Sequence, residues 1–496
     1  MADNDGLKDK TARTLKWNLI DRLSTQLLYA LTGIVLARML SQEDFGLVGA
    51  VLIFQAFASL LIDSGFSYAL IQRKSPTRLD YSTVLWFNIG VAAVIYVILW
   101  FCAPLIALCF QNDMRLIGLS RVMFLVFIIN AAAIVQTNRL VKKMDVRMVA
   151  VSNSVGLVAG AVTGITLALY GFGAWAIVWQ NIAMATVKTS ILWATGKWLP
   201  MMKFSWAALK SYSSVGSGMM FTSFLNTVFQ NIYSFFVGNR VGLASLGYYT
   251  QGDKWSKMGV TSISQVLTSS FLPVLSAVQD DPGRFRRLCS KMNRFTAYLV
   301  FPALIGLIVI AEPVFHLLFG TKWDPSIILF QLLLVRGIFF VLTSLYNNFL
   351  LALGRSGMIV RLEILRDTVA IAALVASLPF IAQSTPDNPV YGLTLMLWGQ
   401  VAASAISWAA TLYVTARTVG SRVASFLFDL VPYAVMTLAI IPLMLWTMSL
   451  TGTPLAMILA GATIAVIFYL GINAILGSKI QKEVLGYLHL SKKINS

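Results

Sequence analysis

The sequence predicts an all-α polytopic membrane protein of fourteen transmembrane helices, arranged as two pseudo-symmetric six-helix lobes followed by two C-terminal helices. Three observations predict it. The chain is apolar and poor in charge, it carries fourteen stretches long enough to cross a bilayer, and its basic residues alternate sides from loop to loop. Of 496 residues, 58% are hydrophobic and 12% are charged, and the mean hydropathy is +0.77. Soluble domains carry about 25% charged residues. The net charge of +18 therefore points to loops lying against anionic lipid, and no nucleic-acid partner is expected.

A helical span needs about 20 apolar residues. The stretches that qualify are 15–38, 46–71, 82–110, 118–138, 148–170, 173–196, 213–238, 245–276, 295–318, 326–353, 359–382, 391–415, 427–449 and 455–476. The eighth, containing "GYYTQGDKWSKMGVTSISQVLTSSFLPVLS", is amphipathic and the weakest of them. The polar start, "MADNDGLKDKTARTLKW", does not fit a signal peptide, so the first span is expected to persist. With that start inside, 26 lysines and arginines fall on the cytoplasmic side and 5 on the other, among them Arg38, Arg115, Arg121, Arg240 and Lys322. A missed or invented span would break this alternation beyond it, so both termini are placed in the cytoplasm. The Arg73/Lys74 cluster after span 2 reads as one of these topology anchors.

Most enzymatic readings lack residues. No Walker A sequence occurs, and no loop exceeds roughly twenty residues, which leaves no room for a soluble domain. His316 and His489 are the only histidines, and neither has a partner for catalysis or metal binding. Cys102, Cys109 and Cys289 form neither a CxxC motif nor a disulfide framework. No cofactor is expected. Glu43 and Asp44 in the first outer loop could suit a membrane glycosyltransferase, but the large outer domain of such enzymes is missing, and a solvated loop pair accounts for them.

An internal repeat sets the domain organisation. "LARMLSQEDFGLVG" follows span 1 and "VGNRVGLASLGYYT" follows span 7; each runs from a basic residue through a short polar loop to a glycine, Arg38 to Gly46 and Arg240 to Gly247. The two halves then form parallel repeats related by an axis along the membrane normal. The expected division is a cytoplasmic segment 1–14, an N-lobe 15–210, a C-lobe 211–416, and spans 13–14 with a cytoplasmic tail over 417–496.

Charges inside spans mark the candidate site, because an ion at a helix centre costs about 2.5–3.5 kcal/mol even on lenient scales. Arg22 stands beside Asp21, Asp253 precedes Lys257 by four residues with Lys254 left over, and Arg366 has Glu363 and Asp367 nearby. Asp63, Lys188 and Arg336 have no local partner. Polar stripes add direction: Asn18, Arg22, Gln26 and Tyr29 in span 1; Ser223, Asn226, Gln230, Tyr233 and Ser234 in span 7; Arg336, Thr343 and Asn347 in span 10. Such stripes predict a hydrated cavity with Arg22, Lys254, Arg336 and Lys188 as its cations, Asn18, Gln26, Tyr29, Asn226, Gln230, Tyr233 and Asn347 facing a sugar, and Asp63, Asp21 and Asp253 as gate, ion-pair or coupling acids. Cations with amides and aromatic rings suit an anionic, hydroxyl-rich ligand. Asp63 is followed by Gly65, a packing or bending point, and its cation could be Lys188, Arg336 or a residue of the inner loops. Gly156, Gly160 and Gly164 read as close helix packing.

"GIVLARMLSQEDFGLVG", "DSGFSYALIQRK", "STVLWFNIG", "FGAWAIVWQ", "LGYYTQGDKW", "FLPVLSAVQDD" and "FGTKWDPSIILFQLL" resemble the polysaccharide flippase branch of the multidrug/oligosaccharidyl-lipid/polysaccharide exporter superfamily. The Wzx-type subgroup associated with colanic acid and related exopolysaccharides is the nearest in pattern. The resemblance covers most of residues 15–360; beyond, it is mainly hydropathy. It implies a MATE-like fold around a cationic cavity lined by spans 1, 2, 7 and 8, in a bacterial inner membrane. It also implies passage of undecaprenyl-pyrophosphate-linked oligosaccharide from the cytoplasmic to the outer leaflet by alternating access. Implied partners are that lipid-linked ligand, membrane lipids, and a polysaccharide polymerase with export machinery. No site motif transfers, so Arg22, Lys254 and Arg336 rest on periodicity and burial. The alternatives are a drug or cation antiporter of the same fold, which would favour a dominant carboxylate, and a membrane glycosyltransferase or polymerase.

Overall fold

The computed structural model describes residues 2–63, 70, 73, 75–385 and 388–483; within its helices, the side chains of 2–16, 18, 19, 61, 63, 208, 211–222 and 225 lie outside that description. The chain is helical nearly throughout. In order the helices are α1 (Ala2–Met39), α2 (Gln42–Asp63), α3 (Arg78–Cys109), α4 (Arg115–Met123), α5 (Leu125–Lys142), α6 (Val146–Leu169), α7 (Ala174–Gly196), α8 (Trp206–Arg240), α9 (Leu243–Ser276), α10 (Pro282–Val309), α11 (Ala311–Leu318), α12 (Asp324–Ala352), α13 (Ser356–Ser377), α14 (Tyr391–Val419), α15 (Val423–Ser449) and α16 (Pro454–Ile475). Among the described residues, one isolated bridge, Thr385 to Asn388, is the sole strand-type pairing. Helices cover most of each of the fourteen apolar stretches, but 118–138 and 295–318 are each divided between two helices and the end of 46–71 lies outside the described residues. Among the described residues, ten helical stretches are long and apolar enough to cross a membrane.

Local chemistry fixes the helix ends. Thr77 caps α3 in a reciprocal capping box with Asp80, which supplies two of the bonds the first turn lacks. Asp281 caps α10 and Thr453 caps α16, each followed by a proline in the first turn. In the basic cluster after α2, Arg73 also pairs with the buried Asp80 at 3.6 Å, and Lys142 at the end of α5 donates to the Leu70 and Arg73 carbonyls. The anchor segment is thus bolted to two helix ends.

The chain divides into two compact units, residues 1–247 and 248–496. In the first, α6 and α7 approach closely because of the predicted glycine stripe. A Cβ at Gly156 or Gly160 would sit 2.8 Å from the Met184 or Gln180 carbonyl oxygen, and one at Gly164 would sit 3.0 Å from Gln180 Cβ. The segment after α7 is strapped to the unit: Arg78 and Gln136 donate to the Leu199 and Trp198 carbonyls, and Trp86 to that of Met201. Helix α8 packs on α2 and α3 through Phe57–Phe224 and through Asn239, which donates to the Cys109 carbonyl.

The repeated loops make one reciprocal contact. A Cβ on Gly46 would lie 1.8 Å from the carbonyl oxygen of Leu243, four residues before Gly247; a Cβ on Gly247 would lie 1.9 Å from that of Gln42, four residues before Gly46. The starts of α2 and α9 therefore meet backbone to backbone, and only glycine fits at either contact position.

In the second unit, α10, α12, α14 and α15 share an aromatic core of Phe285, Tyr346, Phe349 and Phe426, all nearly inaccessible. Asn293 is fully buried there, donating to the Phe426 carbonyl while accepting from the Tyr346 hydroxyl. Burying such an amide is tolerable only because both ends are paired. Tyr298, Tyr433 and Tyr469 gather where α10, α15 and α16 meet, with the Tyr469 hydroxyl donating to the Tyr298 carbonyl.

Candidate functional site

Predicted site residues fall in two polar clusters inside the spans, one in each unit. In the second unit, Asp253 and Lys257 occupy one face of α9 at a four-residue spacing, and the expected ion pair forms at 2.5 Å. Arg336, predicted to lack a local partner, finds two from other helices. Its Nη1 donates to Gln400 Oε1 of α14 at 2.7 Å, and its Nη2 lies 3.9 Å from Asp253 Oδ1. Asp253 thus stands between two cations. Gln400 is 3% exposed, and its amide nitrogen has no hydrogen bond among the described residues. On α9, Lys254 lies over the Trp255 ring, 5.2 Å from its centroid. Asn347 is half-buried on α12 with its side-chain oxygen unbonded.

In the first unit, Asp21 accepts from Asn153 of α6 at 3.3 Å and from Thr25 at 3.4 Å. One turn on, Ser24 meets Ser154 at 3.3 Å. Lys188 of α7 lies within electrostatic reach of Asp21, without a direct ion pair between them among the described residues. The neighbour expected to neutralise Asp21 does not do so: Arg22 is exposed instead. Consecutive helical residues point about 100° apart, so adjacency in sequence is not a pairing geometry. On the stripe of α1, Tyr29 is exposed and Gln26 is half-buried, while the Asn18 side chain lies outside the described residues. On α8, Gln230 donates to Asn226 at 3.1 Å with both exposed, whereas Tyr233 is buried. The Asp63 side chain and Gly65 lie outside the described residues; Lys188 and Arg336, two of the cations expected for Asp63, each lie within electrostatic reach of another carboxylate.

The loop acids Glu43 and Asp44 are not simply a solvated pair. Glu43 binds Arg115 at 2.5 Å. Asp44 closes a capping box with Ser41 and accepts from the Ala174 backbone N–H at 2.8 Å, joining the starts of α2 and α7. Arg115 also grips Asp113 at 2.6 Å, and these hydrogen bonds hold the Asp113 carboxyl below the usual carboxylate range. Both acids therefore have fixed structural work. Among the described residues, no group of three or more metal-ligating side chains occurs.

Sequence reasoning missed Asn153 and Gln400. The available signal was a lone amide within an apolar run, "VSNSVG" and "LWGQVAAS", which demands a partner on another helix. It also assigned Lys257 to a local ion pair alone, although that pair turns out to share its acid with Arg336.

Comparisons with known proteins agree with this architecture. The succinoglycan biosynthesis transport protein ExoT of Rhizobium meliloti (strain 1021) is 26% identical over 312 residues, 63% of this chain and 63% of its own length. The lipopolysaccharide biosynthesis protein WzxC of Escherichia coli (strain K12) is 24% identical over 371 residues, covering 74% and 75%. Among solved structures, the lipid II flippase MurJ in an inward closed conformation superposes with a TM-score of 0.69 at 14% identity, over 93% of this chain and 99% of that one. An inward-facing multidrug resistance MATE family transporter gives 0.61 at 15%, over 81% and 98%. These likenesses show the fold. Residues 35–328 match the family described as polysaccharide biosynthesis protein, more than half of the 496 residues, and the chain belongs to that family.

Proposed function

We propose that this protein is a flippase that carries undecaprenyl-pyrophosphate-linked oligosaccharide repeat units from the cytoplasmic to the outer leaflet of a bacterial inner membrane by alternating access. The units would feed exopolysaccharide, capsule or O-antigen assembly. The observation that carries the reading is the family match over residues 35–328. Relatives named for succinoglycan transport and lipopolysaccharide biosynthesis support it, as does a fold shared with a lipid II flippase. The proposed arrangement has fourteen spans, a cytoplasmic segment 1–14, an N-lobe 15–210, a C-lobe 211–416 and two further spans in 417–496, with both termini inside.

The chemistry of the spans fits such a ligand. A diphosphate needs cations at membrane depth, and the arginines and lysines named above supply them without a metal. Arg22, Lys188, Lys254 and Arg336 are proposed to meet the diphosphate. Asn18, Gln26, Tyr29, Asn226, Gln230, Tyr233 and Asn347 are proposed to meet sugar hydroxyls and faces. Asp21, Asp63 and Asp253 are proposed to hold or release those cations during the cycle. A polymerase and export machinery would receive the product outside.

The test is lipid analysis of a strain lacking the gene. Complete undecaprenyl-linked repeat units should build up inside the cell, and restoring the gene should clear them. Incomplete units would point to glycosyl transfer, and an unchanged lipid pool with altered drug sensitivity would point to a drug antiporter; either result sinks the proposal.

A further inference from the structure

The second unit contains one carboxylate serving two cations, and that imbalance has a ligand chemistry. Lys257 Nζ is 2.5 Å from Asp253 Oδ2, while Arg336 Nη2 is 3.9 Å from Oδ1, inside ion-pair range but beyond a hydrogen bond. Asp253 Oδ1 accordingly has no hydrogen-bond partner among the described residues, although it is buried. Of the five N–H donors that a guanidinium offers, Arg336 commits one, to Gln400. The Gln400 amide nitrogen, beside that bond, is buried and unbonded. One charge of +1 and several donors are left over.

Depth and exposure exclude a lipid-facing explanation. Lys257 stands fourteen residues into α9 and Arg336 twelve into α12, which places both about 18–21 Å along their helices. The Lys257 and Arg336 side chains are nonetheless 41% and 29% exposed. Charged tips exposed at that depth must meet water or a polar ligand, because acyl chains cannot solvate them.

Resting on the flippase reading, we propose that Lys257, Arg336 and the Gln400 amide form a diphosphate-binding subsite, and that Asp253 is its resident counter-ion, displaced when the diphosphate enters. The carboxylate offsets the mutual repulsion of the two cations while the subsite is empty. Its short bond to Lys257 spans one turn of a single helix, so it can be released by rotating two side chains, without moving a helix. An entering diphosphate offers more oxygens than Asp253 and reaches the fork of Arg336, which the carboxylate meets only at 3.9 Å. Asp253 then acts as a competitor that limits affinity, so that the ligand can leave again.

This assignment predicts opposite signs on neighbouring residues. Binding of inorganic diphosphate and of undecaprenyl diphosphate to the purified full-length protein should weaken about tenfold in Lys257→Gln and in Arg336→Gln, as expected for loss of a charge-assisted contact. Both should bind about tenfold more tightly to Asp253→Asn, because the competing charge is gone. Asp253→Ser repeats the test if the asparagine variant unfolds. A purely structural ion pair predicts that both Asp253 variants bind no more tightly than the parent, and that result overturns the proposal. So does a parent protein that binds neither probe. Binding of inorganic diphosphate with the predicted signs, but not of the lipid form, keeps the subsite and removes the flippase reading. The gene-deletion lipid analysis tests that reading separately.

Discussion

Alanine at Gly46 should break the reciprocal contact of α2 and α9, and the geometry sets the size of the effect. The added methyl would lie 1.8 Å from the Leu243 carbonyl oxygen, against an ordinary contact of 3.4 Å, so the two backbones would have to part by 1.6 Å. Neither partner is a flexible side chain that could swing away. Overpacking of this kind costs about 1–3 kcal/mol, and a backbone clash belongs at the upper end, about 3 kcal/mol. Gly247→Ala should cost the same, since its methyl meets the Gln42 carbonyl at 1.9 Å. One retreat relieves both clashes. The double variant should therefore lose little more than either single one, with a coupling energy of about 3 kcal/mol. For a cooperative unit of 247 residues, each single variant should lower the thermal unfolding midpoint by about 6 °C. Thermal unfolding of the purified parent, both single variants and the double variant measures this. An unmoved midpoint in Gly46→Ala, or two losses that simply add, would refute the reciprocal contact.

Two further perturbations test the fixed charges. Asp21→Asn keeps a group that Asn153 and Thr25 can bond but leaves the Lys188 ammonium without its opposite charge. It should destabilise by about 1 kcal/mol or less, and adding Lys188→Met should restore most of that loss in the same unfolding assay; no restoration means that the two residues do not interact. In the connection between α3 and α4, the Arg115 bonds depress the folded-state pKa of Asp113. Its stabilising contribution is therefore complete above the unfolded value, about 3.9, and disappears as the pH falls through the lower folded value. Arg115→Ala should lower the midpoint at pH 7, and the gap to the parent should narrow as the pH falls below about 3.9; a gap that does not narrow with falling pH argues against the Asp113 contact.

The apolar stretches were legible because burial in lipid writes itself into composition over twenty residues at a time. Close helix packing at Gly156, Gly160 and Gly164 was legible for a related reason, since small residues at four-residue spacing share a helix face. The Asp253–Lys257 pair was legible because it is local. The pairings across helices were not. Asp21 binds Asn153, 132 residues away, and Arg336 binds Gln400, 64 residues away; no periodicity within one helix encodes which neighbour it will meet. The repeated loops showed where two halves correspond, yet only the structure shows that each glycine lies against the other's loop. Asp44 misled for another reason. An acid in an exposed loop looks solvated until a second helix start, Ala174, is placed beside it.

The way acids are held inside the spans bears on which ions this protein can handle. Asp21 is bonded by an amide and a hydroxyl, with a lysine in electrostatic reach; Asp253 faces a lysine and an arginine. Asp367 is bound by Arg366 at 2.9 Å, and Asp429 by Ser290 at 2.6 Å with Arg294 at 3.5 Å. A carboxylate that trades a proton for an incoming cation must lose its charge during the cycle. A neighbouring ammonium or guanidinium opposes that step, because it stabilises the ionised form. The same neighbours create the reverse opportunity. Where two cations share one acid, as at Asp253, an incoming anion completes the charge balance instead of disturbing it. Under the proposed reading that cluster favours anions, and converting it to cation handling would require removing Lys257 and Arg336 together, since either alone still neutralises Asp253.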